Sequence, residues 1–567
     1  MSVSDAEGTP VPSGGGWEGE RAPGTPVNIA YQALTFHVEA GHGDRTALRW
    51  RPRSGAVVPY TYAELDRAAA LFAGGLRAEG IGPGDTVAVL AGRIPELHVA
   101  VMGALRAGAS ATVLFASFGP EPIRRRLERG RARVLVATRP YFESRVVGIQ
   151  DNLPELERIF IVDHPGALGS GSGVSGGEER VAPLCSWLTR HEPMTGHYPV
   201  DEGDPSLLHF TSGTTGDPKG VVHAHDAARA HRFTGRRVLG LQAGTRFWCT
   251  ADPGWVTGIS YGMMAPLLLG ATLFLDEEEF DVDRWKENVV REEIEVLYTS
   301  PTALRLLRRL DPSEDPWGAP ALRGLFTVGE PLMPAEAWWA SRRLGVPVRD
   351  TWWQTETGCI VVATPQDEAP REGFVGRPVE GFETMCARRA PDGGVEPVAE
   401  GEAGELVIRR GWPSQFRTYL DRPDLYAASF AGEWYLSGDL MERDGEGWLR
   451  YVGRRDDLFN SAGHLVAPAE IEATLLRHPA VVDAGVGGRS DEVAGTVIEA
   501  WVVLAPDRTP DEDLRRDILR FAREELGPAL APRVLRFRDH LPRTPSGKIL
   551  RRAIGRSVAD TPDSPFS

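Results

Sequence analysis

Lysine is almost absent from this chain. Only Lys219, Lys286 and Lys548 occur, so arginine supplies 60 of the 63 basic residues. Arginine is a planar fork that is always charged, whereas lysine is a compact point charge on a flexible stem. Lys286 occupies a solvated helix position, but Lys219 and Lys548 lie in segments rich in glycine and hydroxyl residues. We therefore expect the last two to be functional.

Cysteine pairs, long apolar runs and excess positive charge are also missing. The four cysteines are far apart in the chain, which argues against a disulfide framework or a zinc site and favours a reducing compartment. No apolar run could span a bilayer, and no secretion signal opens the chain. The net charge of -16 argues against nucleic-acid and anionic-membrane partners. A cytoplasmic protein is expected.

Strands and helices alternate along the first two thirds of the chain. Such alternation is typical of an α/β fold with largely parallel sheets flanked by helices. Ligands of these folds bind at the carboxyl ends of the strands. The predicted strands are 85–90, 111–115, 133–137, 246–250, 271–275, 295–298 and 324–328, with helices over 95–107 and 122–129 between them.

The composition also divides the chain. Residues 1–25 and 557–567 are rich in Gly, Pro and Ser and are predicted to be disordered tails. Residues 26–453 form the predicted large domain, which ends in a small β subdomain over about 360–453. After residues 454–457 comes a compact α+β segment over 458–556, which is large enough to be a domain by itself.

The segment TSGTTGDPKG, Thr211–Gly220, follows a short apolar run. Its glycines let the backbone approach an anion closely, while its hydroxyls and amides donate to it. Lys219 adds a point charge for phosphate. The order of residues differs from the common GxxxxGK[ST] phosphate loop, because no Ser or Thr follows the lysine. We expect a phosphate-binding loop of another kind.

Four further segments occur in a fixed order after this loop: VGEP at 328–331, DTWWQTE at 350–356, SGD at 437–439 with GRRDD at 453–457, and PRTPSGK at 542–548. Together with the loop, they resemble the acyl-adenylate-forming enzymes over residues 30–555. DTWWQTE and ADPGWVTGISY, Ala251–Tyr261, resemble the acetyl-CoA synthetase branch.

The resemblance implies two half-reactions. A carboxylate attacks the α-phosphorus of ATP to give an acyl-adenylate and pyrophosphate, and the thiol of CoA then displaces AMP. Both steps develop negative charge on oxygen, so positioned cations and Mg²⁺ should supply much of the catalysis.

The resemblance also assigns residues to ATP and AMP. Lys548 would bridge the carboxylate and the α-phosphate, Thr355 would contact the α-phosphate, and Glu356 would hold Mg²⁺. Asp439 would accept hydrogen bonds from both ribose hydroxyls, and Arg454 would reach phosphate or ribose oxygens. The loop and the adenine walls complete the expected set: Thr211, Ser212, Gly213, Thr214, Thr215, Gly216, Lys219, Gly329, Glu330, Pro331, Asp350, Thr351, Trp352 and Gln354.

Trp353 carries the substrate prediction. It matches the family tryptophan that closes the acyl pocket in acetate enzymes, and Val256, Thr257 and Val328 match the other walls. A tryptophan occupies the volume that a longer chain needs, so acetate is expected. Because one methylene changes binding by only about 1–3 kcal/mol, weaker use of propionate is expected too.

The resemblance places CoA against Gly463 and Arg523. It also implies that the small C-terminal domain is mobile, with its hinge in residues 454–457 at Asp456. Lys548 matches the lysine that is acetylated in many family members, so a lysine acetyltransferase and deacetylase are expected partners. Leu465 departs from the pattern, because the family usually has a phosphate-contacting arginine there. A nearby arginine such as Arg455 is one replacement.

Three alternatives remain open from the sequence. The enzyme could activate another small carboxylate, such as propionate or a branched or unsaturated short chain. It could transfer the acyl group to a separate carrier protein. It could also be a catalytically quiet sensor of nucleotide or acyl-adenylate, for which Leu465 is the only support.

Overall fold

A computed structural model describes residues 17, 19–21, 24–168, 180–212, 218–278, 280–457, 459–461, 464–466, 468–491, 495–506, 508–543 and 549–554. The chain divides into two compact units, Met1–Glu383 with Arg409–Glu433, and Thr384–Ile408 with Trp434–Ser567. Below they are called the first and the second unit. Within the described residues, no helix is long and apolar enough to cross a membrane.

The first unit contains two sheets whose central strands are parallel. The first sheet runs in the order Arg377–Pro378, Val362–Ala363, Val348–Trp352, Gly324–Val328, Val296–Thr299, Arg246–Cys249, Thr272–Asp276, Thr46–Arg51 and Val58–Thr61. The second runs in the order Thr418–Tyr419, Pro218–Ala224, Pro205–Ser212, Ser110–Val113, Thr86–Leu90, Ala132–Thr138, Arg158–Val162 and Val181–Pro183. Parallel neighbours need crossovers, which the helices provide.

The helices of the first unit lie between these strands in the chain. They are Tyr62–Ala78, Pro95–Arg106, Pro120–Arg129, Arg139–Tyr141, Leu184–Leu188, Ala227–Arg237, Val256–Ile259, Ala265–Leu268, Val282–Arg291, Pro301–Leu310, Pro334–Leu344 and Pro423–Ala428, with wider turns at Tyr31–Thr35, Val38–His42, Phe142–Val146 and Ser260–Met264 and a tight turn at Gln150–Asn152. Trp248, Trp339 and Leu304 are buried in one of its apolar cores. Helix Pro301–Leu310 begins where the Ser300 side chain accepts from the Ala303 amide.

The second unit is an α+β structure. One sheet contains Val395–Pro397, Thr384–Arg389, Gly404–Arg409, Trp434–Arg443 and Leu449–Arg454 in that order. Then follow the pair Phe459–Ser461 and His464–Val466, and a sheet of Val481–Asp491, Gly495–Leu504 and Val534–Phe537. Its helices are Pro468–Leu475 and Glu512–Leu530, with short turns at Arg455–Asp457 and Arg551–Ala553.

The predicted fold class is confirmed, and most predicted strands agree with the structure to within one or two residues. Strand Gly324–Val328 has the predicted bounds, and helix Pro95–Arg106 ends one residue early. The strands could be predicted because a strand buried on both faces is continuously apolar.

Two observations concern the predicted domain bounds, which stay a prediction. Residues 384–408 and 434–453 cluster with the C-terminal part of the chain. One reason is that helix Pro468–Leu475 packs beside strand Leu449–Arg454. Within residues 1–25, the Trp17 indole is buried against the rings of Phe233 and Phe382, 4.6 and 5.2 Å away. Composition alone cannot reveal such an isolated contact.

Candidate active site

Two neighbouring parallel strands bring the predicted adenine walls together in the first unit. Gly324–Val328 and Val348–Trp352 pair with Val328 opposite Thr351. Since both strands end at the same edge, Gly329–Pro331 and Trp353–Glu356 follow side by side. Gly329 has a φ of 93°, which a residue with a side chain rarely adopts. Glu330, one residue later, accepts a 2.6 Å hydrogen bond from the Thr302 hydroxyl.

Asp350 lies buried in the middle of strand Val348–Trp352. Its Oδ1 accepts hydrogen bonds from the Thr327 hydroxyl at 2.8 Å and the Thr351 amide at 3.0 Å. Burial raises the pKa of Asp350 to about 7, against the opposing effect of these donors. The structure therefore holds a carboxyl that changes charge near neutral pH beside the predicted adenine wall.

Trp353, the predicted end of the acyl pocket, is buried and held on two sides. Its Nε1 donates a 3.0 Å hydrogen bond to the Tyr298 hydroxyl. The Tyr261 ring meets the indole edge-on, with 5.1 Å between the ring centres. Tyr261 is on the turn that continues helix Val256–Ile259, the helix that begins with the predicted wall residues Val256 and Thr257. Both wall residues are buried.

The sequence did not predict Tyr298 or Tyr261. Tyr298 is on strand Val296–Thr299, which pairs with Gly324–Val328 but lies 55 residues before Trp353 in the chain. Tyr261 ends the segment ADPGWVTGISY, but no role was predicted for it, and Tyr298 has no sequence signal beyond its place in a predicted strand.

Buried side chains hold the backbone of residues 355–358 in place. His223 and His231 lie 2.8 and 2.9 Å from the carbonyl oxygens of Thr355 and Gly358, through Nε2 in each case. Trp412 Nε1 and Ser414 Oγ donate to the Thr357 carbonyl at 2.8 and 2.7 Å. These residues are a second group that the sequence did not predict.

The two buried histidines are neutral at physiological pH. Burial lowers the pKa of His223 and of His231 to about 4. A neutral imidazole that donates through Nε2 carries no proton on Nδ1, and Nδ1 of His231 is buried without a hydrogen bond within the described residues. The Thr355–Gly358 backbone is therefore held by donors whose protonation is fixed.

Glu356 lies beside the end of the predicted phosphate loop. Its Oε1 accepts a 2.8 Å hydrogen bond from the Tyr419 hydroxyl. The ammonium of Lys219 lies 5.5 Å from the centre of the Tyr419 ring. Lys219 itself pairs with Thr211 across strands Pro205–Ser212 and Pro218–Ala224. The Ser212 side chain and residues Gly213, Thr214, Thr215 and Gly216 lie outside the described part of the chain.

The surroundings of Glu356 are compatible with its expected role as a ligand of Mg²⁺. In the described part of the chain it forms no ion pair, and no cluster of three His, Cys, Asp or Glu side chains could hold a metal. Mg²⁺ is usually bound by one or two carboxylates together with substrate phosphates and water. A half-buried carboxylate that accepts from Tyr419, whose ring centre lies 5.5 Å from the Lys219 ammonium, is consistent with that donor set.

Asp439 is a buried carboxylate of the second unit. Arg454 lies opposite it in the paired strands and donates a 3.1 Å hydrogen bond to its Oδ1. The Arg454 guanidinium also donates to the exposed Asp456 at 3.2 Å. The predicted ribose ligand, phosphate ligand and hinge residue therefore form one connected group within this unit.

The buried side chain of Glu405 contacts residues adjacent to this group in the chain. Its Oε1 accepts from the Gly438 amide at 3.0 Å, which fixes the turn just before Asp439. Arg389 donates to both its oxygens, and the Nε of Arg455 lies 3.7 Å from Oε2. Arg455, the suggested replacement for the arginine missing at position 465, is thus partly engaged by a buried carboxylate.

The remaining predicted residues cannot all be placed. Lys548 and Gly463 lie outside the described residues, and Leu465 is described only by its backbone, opposite Asn460. Arg523 is exposed on helix Glu512–Leu530, where a ligand can reach it.

Comparisons with known proteins decide the family. The model of the AMP-binding enzymes matches residues 35–420, and that of the AMP-binding enzyme C-terminal domain matches residues 470–548. The chain belongs to the family of AMP-binding enzymes.

Curated members of the AMP-binding family match nearly the whole chain. It is 35% identical to the acetyl-coenzyme A synthetase of Bacillus subtilis, over 93% of this chain and 90% of the relative. It is also 35% identical to the acetyl-coenzyme A synthetase of Streptomyces coelicolor, over 94% and 84%.

Solved structures of the family share the fold. The anthranilate CoA ligase AuaEII in complex with anthranoyl-AMP aligns with a TM-score of 0.81 and 26% identity, over 93% of this chain and 96% of that one. A benzoate CoA ligase from Burkholderia xenovorans LB400 aligns with a TM-score of 0.79 and 26% identity, over 93% and 99%. The resemblance seen in the motifs is thereby confirmed.

Proposed function

We propose that this chain is an AMP-forming acetate–CoA ligase, which converts ATP, acetate and CoA into acetyl-CoA, AMP and pyrophosphate through acetyl-adenylate. The observation that carries the proposal is the buried Trp353, fixed by Tyr298 and Tyr261 in a family member similar to acetyl-coenzyme A synthetases. Its substrates and cofactors are ATP, CoA and Mg²⁺.

The choice of acetate depends on the volume that Trp353 occupies. Its indole is 7% exposed and held from two directions, so a longer acyl chain has to displace it. Protein interiors are closely packed and leave little space for that displacement. Propionate is the next best substrate, since one extra methylene costs only about 1–3 kcal/mol.

The first half-reaction joins acetate to AMP. An acetate oxygen attacks the α-phosphorus, the bond from this phosphorus to the bridging oxygen breaks, and pyrophosphate leaves with the electron pair. Lys548 balances the charge on the carboxylate and the α-phosphate, and Thr355 donates to the α-phosphate. Mg²⁺, when held by Glu356, neutralises phosphate charge.

The nucleotide is held by side chains with matched hydrogen-bonding groups. Asp439 accepts from the ribose hydroxyls, Arg454 donates to phosphate or ribose oxygens, and Lys219 with the loop beside it binds the leaving phosphates. Gly329, Glu330 and Pro331 form one face of the adenine site, and residues 350–355 form the other.

The second half-reaction transfers the acetyl group to CoA. The thiol sulfur attacks the acyl carbon, the carbon–oxygen bond to AMP breaks, and the thiol proton is released. Arg523 binds the nucleotide end of CoA and Gly463 lets the pantetheine pass. Asp456 is the hinge for the domain rotation between the two steps, because exposed residues of a short turn can absorb a large backbone change.

Two finer points belong to the same proposal. Lys548 is a site of reversible acetylation, so a lysine acetyltransferase and a deacetylase are partners of this chain. The site of action is the cytoplasm, in keeping with four free cysteines.

Pyrophosphate release in the presence of ATP, Mg²⁺ and acids of two to eight carbons, with and without CoA, tests the proposal. We expect release to peak at acetate and steady turnover to require CoA. A peak at another small acid would overturn the assignment of acetate but not the chemistry. ATP binding without release for any acid would favour a sensor.

A further inference from the structure

A chain of hydrogen bonds runs behind the indole of Trp353. Indole Nε1 can only donate, and within the described residues its one acceptor is the Tyr298 hydroxyl at 3.0 Å. That hydroxyl lies 2.8 Å from Thr351 Oγ1, and Thr351 Oγ1 donates to the Thr327 carbonyl at 2.7 Å. Three strands therefore contribute one group each behind the predicted end of the acyl pocket.

The direction of every bond in this chain is fixed by its two ends. Trp353 can only donate and a carbonyl oxygen can only accept, so Tyr298 donates to Thr351 and Thr351 donates to Thr327. Burial raises the pKa of Tyr298, which keeps its hydroxyl protonated at any physiological pH. Buried polar chains that are fully satisfied in one arrangement hold their members rigidly.

Tyr261 meets the same indole without using its hydroxyl there. Its ring contacts Trp353 edge-on, while its hydroxyl bonds to Thr234 Oγ1 and accepts from the Ile360 amide, at 2.7 Å in both cases. Both tyrosines are fully buried. They differ in one respect: only the hydroxyl of Tyr298 determines where the indole N–H points.

We propose that Tyr298 is a positioning residue that sets the acyl-chain selectivity of this enzyme by holding Trp353 across the end of the acyl pocket. This inference rests on the proposed function, and Tyr298 acts through Trp353 rather than by touching the substrate. It fixes the plane of the indole, and that plane determines how much of the pocket the indole fills.

Removal of the hydroxyl leaves the indole N–H buried with no acceptor. A buried donor left unsatisfied is costly, so the indole turns toward another acceptor or toward water. The end of the pocket then opens for a longer chain. We expect Tyr298→Phe to lower the ratio of kcat/KM for acetate to kcat/KM for propionate by about fivefold to tenfold.

Tyr261→Phe is the matched control. It removes a hydroxyl that is equally buried and makes two hydrogen bonds, but it leaves the bond between Trp353 and Tyr298 intact. Both variants are expected to lower Tm, and only Tyr298→Phe is expected to change the ratio. Equal changes of the ratio in the two variants, or a uniform loss of activity with all acids, would overturn the proposal.

A double-mutant cycle with Trp353→Phe tests whether Tyr298 acts through the indole. Once the indole is gone, Tyr298→Phe is expected to leave the ratio unchanged. A further fivefold change in that background would contradict the proposal. If the wild type prefers an acid other than acetate, the proposed substrate fails, and the same cycle is then evaluated with that acid and its one-carbon-longer homologue.

Discussion

The hydroxyl of Tyr419 donates a 2.8 Å hydrogen bond to Oε1 of Glu356, and the two residues lie 63 positions apart in the chain. Tyr419 is on a short strand that pairs with Pro218–Ala224, opposite Val221. The strand that carries Lys219 therefore pairs with the strand that carries Tyr419, and the Tyr419 hydroxyl orients Glu356. A partner that orients a metal ligand typically contributes ten- to a hundredfold to metal affinity, as an order-of-magnitude estimate.

Glu356→Gln is expected to lower pyrophosphate release by about a hundredfold at saturating ATP, because the amide removes the charge that holds Mg²⁺. Tyr419→Phe keeps the charge of Glu356 but removes the hydrogen bond that orients its carboxylate. We therefore expect about a tenfold rise in the Mg²⁺ concentration that gives the half-maximal rate. Titration of the rate with Mg²⁺ measures both. Glu380→Gln, at an exposed ion pair with Arg237, is the control. An unchanged Mg²⁺ dependence in Glu356→Gln would refute the assignment.

Asp350→Asn is expected to become more stabilising, relative to the wild type, as the pH rises. The pKa of Asp350 is raised from 3.8 to about 7, so between these values the folded chain retains a proton that the unfolded chain has lost. Stability due to this group therefore falls with rising pH up to about 7 and is constant above. Asparagine keeps an oxygen for the two donors that contact Oδ1.

The difference in Tm between Asp350→Asn and the wild type, measured from pH 4 to 8, tests this expectation. It should grow between pH 4 and 7 and then level off. A difference that is constant across this range would show that the carboxyl is ionised throughout.

His231→Gln is expected to have the opposite pH dependence. The pKa of His231 is lowered from 6.5 to about 4, so below pH 6.5 the unfolded chain binds a proton that the folded chain does not. Stability is therefore lost as the pH falls from 6.5 toward 4, at about 1.4 kcal/mol per pH unit for one such group. Glutamine can still donate to the Gly358 carbonyl.

Thermal unfolding of His231→Gln between pH 4 and 7 checks this sign. We expect the Tm of His231→Gln to rise relative to that of the wild type as the pH falls. His164→Gln, at an exposed position, is the control and is not expected to show this rise. If both variants follow the wild-type curve, His231 is not buried in the neutral form.

Asp439→Asn and Asp456→Asn are expected to separate the two half-reactions. Both carboxylates bind Arg454, but Asp439 is buried and Asp456 is exposed on a turn. A hydrogen bond to a charged group is worth about 1.5–3 kcal/mol, so Asp439→Asn, which removes the charged acceptor proposed for the ribose hydroxyls, should raise the KM for ATP at least tenfold. Asp456→Asn should instead slow acetyl transfer to CoA from supplied acetyl-AMP. Identical effects on ATP binding would argue against separate roles.

Lys548→Gln, which mimics the loss of charge on acetylation, is expected to reduce adenylation about a thousandfold. Transfer of acetyl from supplied acetyl-AMP to CoA should persist, because that step does not join a carboxylate to a phosphate. Pyrophosphate release measures the first step and CoA consumption the second. Lys286→Gln, at the one lysine for which no functional role is predicted, is the control. Normal adenylation in Lys548→Gln would refute both the catalytic role and the acetylation switch.

The sequence predicted the parts of the site that are contiguous in the chain. A turn that needs glycine, such as that at Gly329, has a local pattern because the local backbone requires that residue type. Strand Gly324–Val328, before this turn, could be predicted because it is a largely apolar run. Strand Val348–Trp352 was not predicted, since Arg349 and Asp350 interrupt its apolar pattern.

The supporting residues could not be predicted in this way. Tyr298, Tyr419 and His223 contact their partners across 55, 63 and 132 residues of chain. A buried tyrosine or histidine has the same local sequence whether its polar atom faces a functional residue or only the core. Their roles appear only when the sheets place them beside Trp353, Glu356 and Thr355.

The sequence by itself determined the family, the order of the motifs and the identity of the residues expected to meet the substrates, because each motif combines residue types that its chemistry requires at adjacent positions. Only the tertiary structure decided how those residues are held: which hydroxyl orients the Trp353 indole, which oxygen of Glu356 is occupied, and that Asp350 is buried enough to hold a proton near pH 7. Orientation and pKa depend on neighbours in space and on the exclusion of water, and strand pairing between distant segments sets both.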